Sequence, residues 1–363
     1  MTDTGFDKEE RFFRYWLHTV PDMTAGLMKK LLEKYGSARD VFRDSGRDSL
    51  LNEKNREAFE ARKADAKRIL VEYECLGARG VKFILAEDDG FPRRLREIPD
   101  SPCGLFVKGE LPDDDAKSVA IVGARRATMH GKWFAKSLAS DLVTHGIPII
   151  SGMAEGIDGS GHEGALSTGG RTVAVLGTGI DICYPMLHEK MYNMIPEHGA
   201  VISEYGPAAP GVSYHFPARN RIISGLSDIV IVVEAKERSG SLITVVAALK
   251  QGRDVMAVPG RPDDPCSRAC NRLLKEGAAC CTCAEDVLRL LELTPQKPIA
   301  PAERDRPSGN EALVLASIYG EPRHTDDIAK ATGLSPQEVA NILISLEIKG
   351  KVSPITTGLY IRK

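Results

Sequence analysis

The spacing of apolar residues changes along the chain and divides it into regions. Over residues 1–76, apolar side chains recur at intervals of three and four without the alternation of a strand. This pattern predicts helices at 11–19, 24–35 and 55–74. Pro21 breaks the pattern between the first two helices. We therefore expect residues 1–76 to form a small helical domain of the SAM-like or helical-hairpin type.

Short runs rich in Val and Ile follow between residues 77 and 292. Continuous runs of this kind are typical of strands buried on both faces of a sheet. Amphipathic stretches separate them, and strands that alternate with helices predict an α/β domain with a doubly wound parallel sheet. The predicted strands are 81–85, 105–107, 119–122, 147–150, 173–176, 201–202, 229–233 and 255–258, and the predicted helices are 132–144, 159–166, 187–195, 220–226, 241–250 and 268–275.

The C-terminal part of the chain differs again. Residues 293–309 are rich in proline and charge, which is typical of a linker. Residues 310–363 show helical patterns that meet across a short turn, followed by a hairpin, and this order predicts a winged helix. Ser335 is expected to cap the helix that starts at Pro336, with Glu338 completing a capping box.

The composition is that of a globular protein. The chain has 363 residues, of which 42% are apolar and 27% are charged, and this excludes disordered and collagen-like chains. No apolar run approaches the ~20 residues that span a bilayer, and the N-terminus lacks an apolar signal core. We therefore expect a cytoplasmic protein that has no membrane partner.

Charge is unevenly distributed although the formal net charge is only −2. Residues 210–275 contain 10 Lys and Arg against 6 Asp and Glu, whereas residues 147–209 contain 2 against 7. A local basic region can attract phosphate even when the whole chain has no net positive field. The charge distribution is therefore compatible with a nucleic-acid partner.

Five of the eight cysteines lie close together between Cys266 and Cys283. Without a secretory signal, disulfides are not expected. The cysteines do not form paired CxxC units, so a zinc site is the less favoured interpretation and buried, reduced thiols the favoured one. The sequence leaves both alternatives open.

The candidate chemistry follows the ends of the predicted strands. In an open parallel sheet, ligands bind beyond the carboxyl ends of the strands, and helix N-termini there offer N–H groups to anions. Arginines, hydroxyl groups and an aromatic residue follow several of these strands, which indicates phosphate binding together with base stacking. The candidate residues are Gly123, Arg125, Arg126, Ser151, Gly152, Phe216, Arg219, Asn220, Arg221, Ser239, Gly240 and Ser241.

Several catalytic and cofactor motifs are missing from the sequence. Gly123, Ala124 and Arg125 do not form the G-x-G-x-x-G of a dinucleotide site, and no P-loop is present. No Ser/His/Asp or HExxH constellation is evident. We therefore expect neither nucleotide hydrolysis nor a tightly bound cofactor.

The central region resembles the DprA/Smf family of bacterial DNA-processing proteins. The matching pieces occur in order and include VAIVGARRAT, IISGMAEGIDGSGHEGAL, HFPARNRIISGLSD and SGSLITVVAALKQGRDVMAVPG. The resemblance implies an extended Rossmann-like domain that binds single-stranded DNA. It also implies a non-catalytic mediator that protects incoming DNA and loads RecA during natural transformation. By the same resemblance, Gly123, Ala124 and Arg125 form a phosphate-contacting turn.

A homodimer is a further expectation. Residues 241–291 carry more apolar side chains than one sheet face obviously needs, among them Leu273 and Leu274. Most homo-oligomers are twofold, and the family resemblance favours a dimer through this region. We assign Leu273 and Leu274 to the predicted interface, with RecA docking nearby.

Two other functions remain as alternatives. A Rossmann-like phosphoribohydrolase would need a PGGxGT loop, which residues 258–261 match only faintly. A transcription regulator would act through the winged helix, but residues 310–363 contain 6 Lys and Arg and 6 Asp and Glu. That balance is a poor electrostatic match to duplex DNA.

Overall fold

The computed structural model describes residues 7–44, 48–293, 309–318, 321–348, 351–356 and 358–362. The chain divides into two compact units, Met1–Pro295 and Gln296–Lys363. Most of the predicted linker, residues 294–308, lies outside the described residues.

Helices make up the N-terminal part of the first unit. The predicted helix over 55–74 is two helices, because Asp65 ends one and precedes the next. The helices pack on the sheet, since Tyr15 and Trp16 share a hydrophobic core with Phe106 and Ala174. A domain boundary at residue 76 therefore stays a prediction. The helices are α1 (Lys8–Thr19), α2 (Ala25–Tyr35), α3 (Ala38–Asp44), α4 (Glu53–Ala64) and α5 (Ala66–Glu74).

A nine-stranded sheet forms the centre of the first unit. Its order is β1-β2-β6-β5-β4-β3-β7-β8-β9, and from β6 to β9 all neighbours are parallel. This confirms the predicted α/β fold. The strands are β1 (Val81–Leu85), β2 (Gly104–Gly109), β3 (Val119–Val122), β4 (Ile149–Ser151), β5 (Thr172–Leu176), β6 (Gly199–Ser203), β7 (Ile229–Val232), β8 (Asp254–Ala257) and β9 (Ala279–Cys280).

One edge of the sheet departs from the predicted parallel arrangement. β1 pairs antiparallel with β2, and β2 pairs antiparallel with β6. Between β1 and β2 the chain forms only one short helix, α6 (Arg93–Arg96). A connection between parallel strands normally needs a longer crossover helix that packs across the sheet. The short connection here instead brings β2 back beside β1 in the opposite direction.

Side chains from the strands alternate between the two faces of the sheet. Ala120 and Val122 of β3 belong to one core cluster, and Val119 and Ile121 belong to another. Alternation of apolar residues on both faces explains why the strands read as continuous apolar runs. The covering helices are α7 (Met129–Thr144), α8 (Ile157–Ser167), α9 (Glu189–His198), α10 (His215–Gly225), α11 (Ser241–Lys250), α12 (Arg268–Lys275) and α13 (Ala284–Leu290).

The second unit has the predicted order of helices and hairpin. Ser335 caps the last helix as predicted, because the Glu338 N–H donates to Ser335 Oγ at 3.3 Å and the Ser335 N–H donates to the Glu338 carboxylate at 2.9 Å. The elements are α14 (Gly309–Ser317), α15 (Thr325–Thr332), α16 (Pro336–Ile348) and an antiparallel sheet of β10 (Arg323–His324), β11 (Val352–Thr356) and β12 (Leu359–Arg362).

The cysteine cluster contains no evident metal site. Cys266, Cys270 and Cys281 are buried, whereas Cys280 and Cys283 are exposed. Among the described residues, no three His, Cys, Asp or Glu side chains are grouped so that they could hold a metal ion. No helix within the described ranges has the length and apolar character of a membrane span.

Candidate nucleic-acid interface

A cavity of about 490 Å³ lies beyond the carboxyl ends of the parallel strands. Its walls come from the turn after β3, from the loop after β5, and from the N-terminal parts of α10 and α11. The cavity contains eight of the twelve predicted site residues, namely Gly123, Arg125, Phe216, Arg219, Asn220, Ser239, Gly240 and Ser241. We call it the anion cavity.

Arg125 is the exposed cation of the anion cavity. Its guanidinium carbon lies 5.4 Å from the centre of the Phe216 ring, within the range of a cation–π contact. The turn that carries Arg125 needs Gly123, because a Cβ there would lie 2.6 Å from Ile157 Cγ1 and 2.9 Å from the Glu234 carbonyl oxygen. Gly123 therefore brings the backbone close to the sheet and places Arg125 at the cavity.

Residues 239–241 supply hydroxyl groups and the start of a helix. Helix α11 begins at Ser241, and the Ser239 and Ser241 hydroxyl oxygens lie 2.8 Å apart. The Asn220 side-chain amide donates to the Gly240 carbonyl oxygen at 3.3 Å, which ties this turn to α10. The first N–H groups of α11 donate within this turn, from Ser241 to Ser239 Oγ at 3.4 Å and from Leu242 and Ile243 to the carbonyl oxygens of Ser239 and Gly240. The positive end of the helix dipole and the two hydroxyl groups are therefore what this turn offers to an anion such as phosphate.

Arg219 is buried at the base of the anion cavity, with an exposed fraction of 4%. Its Nη1 donates to the Gly152 carbonyl oxygen at 2.7 Å and to the Val175 carbonyl oxygen. Burial lowers the pKa of Arg219 to about 10, and the nearby Asp158 opposes that shift. Arg219 therefore stays charged at neutral pH and adds positive potential from below rather than an exposed contact.

Asp158 is the buried carboxylate that accompanies Arg219. It lies in the first turn of α8, and one carboxylate oxygen accepts from the Gly152 N–H at 3.2 Å. Burial raises the pKa of Asp158 to about 6, and the positive charge of Arg219 limits the rise. The charge of the cavity floor thus changes within the range of ordinary buffers.

Four predicted site residues do not line the anion cavity. Ser151 is fully buried, and its hydroxyl donates to the Ile121 carbonyl oxygen at 2.6 Å. Gly152 contacts Arg219 and leaves no room for a side chain, so it positions that arginine. Arg126 is exposed beside the cavity rather than in it.

Arg221 faces a different cavity, of about 560 Å³, between α10 and the N-terminal helices. Its Nη2 donates to both carboxylate oxygens of Glu204 at 2.7 Å. The sequence predicted that Arg221 would join Arg219 because the two lie close in the chain. On a helix, however, residues two positions apart point in different directions, so α10 divides them between two cavities.

The structure adds residues that were not predicted for the site. Tyr184 lines the anion cavity, and its ring centre lies 5.3 Å from that of Phe216. Gly177 leaves space for Phe216, because a Cβ there would lie 2.7 Å from the ring. The position of Gly177 directly after β5 could have indicated a close contact at this edge of the sheet, but the sequence does not show that Phe216 makes that contact.

The placement of Leu273 and Leu274 corrects the predicted interface. Leu273 is buried in the core beneath the sheet, with an exposed fraction of 8%, and Leu274 is partly buried against the same core. Helix α12 uses its apolar side to cover the sheet, so Leu273 has no free surface, whereas Leu274 keeps part of its side chain exposed. Within residues 241–291, the large exposed apolar residues are Ile243, Val246 and Leu249 of α11.

The loop that the enzyme alternative would need lies elsewhere. The Gly260 N–H donates to the Asn271 side chain at 3.2 Å, and a Cβ on Gly260 would collide with Ser267. Residues 258–261 are not part of the anion cavity, whose loop is formed by residues 239–241. The geometry therefore does not support a phosphoribohydrolase loop at residues 258–261.

Comparison with known proteins identifies the family. The profile of the family described as DNA recombination-mediator protein A matches residues 82–292, and that of the DprA winged helix domain matches residues 285–355. Protein Smf of Escherichia coli is 37% identical over 289 residues, which are 77% of this chain and 77% of that protein.

Two solved structures extend the similarity. The X-ray structure of DNA processing protein A from Streptococcus pneumoniae has a TM-score of 0.66 and 35% identity, covering 82% of this chain and all of that one. DNA processing protein A from Helicobacter pylori has a TM-score of 0.52 and 28% identity, covering 58% of this chain and 95% of that one, and its structure concerns a single-stranded DNA binding mode. The matches confirm the predicted resemblance: the chain belongs to the DprA/Smf family of DNA recombination-mediator proteins.

Proposed function

We propose that this chain is a non-catalytic mediator that binds single-stranded DNA, protects incoming strands and loads the RecA recombinase during natural transformation. The anion cavity carries this proposal. It combines an exposed arginine over an aromatic ring, a buried arginine and a helix start, and these groups suit a phosphate flanked by an unpaired base. Membership of the family and the single-stranded DNA binding of the Helicobacter pylori protein support it.

Sequence-independent binding is expected because contacts to phosphate carry no sequence information. The test is a titration of a fluorescent 20-nucleotide oligonucleotide, single-stranded against duplex, at one fixed salt concentration. Preference for the single strand, with similar affinity for different sequences, supports the proposal. Equal or tighter binding to the duplex would contradict it.

The two alternatives have their own measurements. Release of a free base from a nucleoside monophosphate by purified protein would favour the phosphoribohydrolase. For the regulator, α16 is the helix that would enter a DNA groove, and its sequence PQEVANILISLEI contains no Lys or Arg. Duplex binding by the full chain that survives Arg125→Ala would favour that function.

We propose a homodimer through α11 rather than through Leu273 and Leu274. Ile243, Val246 and Leu249 follow one another at intervals of three and are exposed by 43%, 52% and 63%. A self-complementary apolar face of this kind fits a twofold contact. Two copies would lengthen the DNA track and increase avidity, and RecA would dock nearby.

A further inference from the structure

The loop between β5 and α9 exposes three large apolar side chains. Tyr184, Met186 and Leu187 have exposed fractions of 47%, 70% and 79%. Single exposed apolar residues are ordinary on a protein surface, but adjacent ones commonly mark a contact site. We call these three residues the apolar rim.

The ends of this loop are held by hydrogen bonds. Thr178 Oγ1 donates to the Ile182 carbonyl oxygen at 2.8 Å, and the Tyr192 hydroxyl donates to the Ile180 carbonyl oxygen at 2.6 Å. On the other side, His188 Nδ1 donates to the Met153 carbonyl oxygen at 2.9 Å. The rim is therefore presented from anchored flanks, which lowers the entropy cost of binding a ligand there.

The apolar rim is continuous with the anion cavity. Tyr184 belongs to both, and its ring is 5.3 Å from Phe216, which in turn lies 5.4 Å from the Arg125 guanidinium. If a phosphate of single-stranded DNA lies in the anion cavity, the bases next to it are therefore close to the apolar rim.

Charge also favours bases over phosphates at the rim. Residues 147–209, which include the rim, contain 2 Lys and Arg against 7 Asp and Glu. Asp181 and Glu189 flank the loop on either side and are exposed, and the exposed Lys190 next to Glu189 is the one Lys or Arg between residues 181 and 190. An apolar surface in a segment with more carboxylates than basic groups suits the uncharged faces of nucleobases better than the sugar–phosphate chain.

We propose that the apolar rim is a subsite for unpaired nucleobases of the strand whose phosphate occupies the anion cavity. This inference rests on the proposed binding of single-stranded DNA. Tyr184 provides an aromatic face for stacking, and Met186 and Leu187 pack against bases as apolar side chains do when they insert between base steps.

The test is the double variant Met186→Ser with Leu187→Ser, compared with Leu70→Ser with Val71→Ser as a matched control. The control pair lies on α5 and is exposed by 39% and 58%. For a 20-nucleotide oligonucleotide we expect Kd to rise about fivefold in the rim variant, because the apolar contact area that Met186 and Leu187 lose against the bases is worth about that factor. The salt dependence should stay unchanged, since stacking releases no counterions, and the control should bind like wild type.

A fluorescent base identifies the contact. Oligonucleotides that contain 2-aminopurine should change fluorescence on binding wild type, and this change should be smaller for the rim variant. Unchanged affinity and unchanged fluorescence in the rim variant would overturn the inference while leaving the anion cavity intact. So would normal DNA binding with loss of RecA stimulation, which would make the rim a protein-docking surface. Failure of wild type to bind any single strand would instead contradict the proposed function.

Discussion

Asp158 and Arg219 show how single residues set the charge of the anion cavity. Arg219 keeps its charge at neutral pH, whereas burial raises the pKa of Asp158 to about 6. Below that pH the carboxylate gains a proton and one negative charge leaves the cavity floor. Affinity for a phosphate-bearing strand should therefore increase as the pH falls.

We expect wild type to bind a single-stranded oligonucleotide more tightly at pH 5.5 than at pH 7.5. Asp158→Asn removes the charge at every pH and keeps an oxygen that accepts from the Gly152 N–H. This variant should bind at pH 7.5 about as tightly as wild type does at pH 5.5. The informative quantity is the difference between the pH profiles of wild type and Asp158→Asn, and identical profiles would contradict the role of Asp158.

The sequence analysis identified most residues that line the anion cavity, but it did not identify the groups that they contact. Gly123 and Arg125 follow a strand end, and the rule for parallel sheets places them at the ligand edge. The burial of Arg219 depends on carbonyl groups of Gly152 and Val175, which are 67 and 44 positions away. Such long-range contacts leave no local pattern in the sequence, so the exposed Arg125 could not be distinguished from the buried Arg219.

At the scale of elements, helix α10 places in two different surroundings the residues that the sequence analysis assigned to one site. Its residues Phe216, Arg219 and Asn220 face the anion cavity, whereas Arg221 forms an ion pair with Glu204. The side chains of Arg221 and Glu204 are only 16% and 10% exposed. Arg221 therefore pairs with Glu204 instead of lining the anion cavity, and its contact with DNA stays a prediction.

Arg221→Ala should lower the free energy of unfolding by about 3 kcal/mol, because it leaves the Glu204 carboxylate poorly solvated and unpaired. The measurement is urea unfolding of the single variants and of the double variant with Glu204→Ala. The double variant should lose less than the sum of the single losses. An unchanged unfolding curve for Arg221→Ala, together with a lower salt slope for DNA binding, would instead make Arg221 a phosphate contact.

Elements with a clear apolar pattern were predicted well, and elements without one were not. Helices α11 and α12 have the predicted bounds, and β3 does too. The two-residue strand β9 and the seven-residue helix α3 were missed, because so few residues show no clear period. The antiparallel edge was missed because strand pairing depends on the path of the connection, which apolar runs do not encode.

At the scale of the whole molecule, the proposed homodimer gives a further prediction. The apolar face of α11 is available for a second copy, whereas Leu273 belongs to the core. Val246→Glu places a charge at the centre of that face without disturbing buried packing, since Val246 is 52% exposed. We expect this variant to be a folded monomer that binds single strands more weakly and does not stimulate RecA loading.

Light scattering at tens of micromolar measures the assembly directly. Val71→Glu is a matched control, because Val71 is an exposed valine on α5 with an exposed fraction of 58%. The control should keep the mass of wild type. If wild type itself stays monomeric with and without oligonucleotide, the homodimer proposal is wrong.

The most direct test of the proposed function is the salt dependence of single-strand binding by Arg125→Ala. Arg125 is the exposed cation of the anion cavity. Arg289→Ala is the control: it removes an arginine of α13 whose side chain is 80% exposed and lies 3.9 Å from Asp286. We expect Arg125→Ala to bind all sequences more weakly, with a log–log salt slope shallower by about 0.7–1, and Arg289→Ala to bind like wild type. Wild-type affinity and slope in Arg125→Ala would contradict the assignment of the anion cavity as the DNA site.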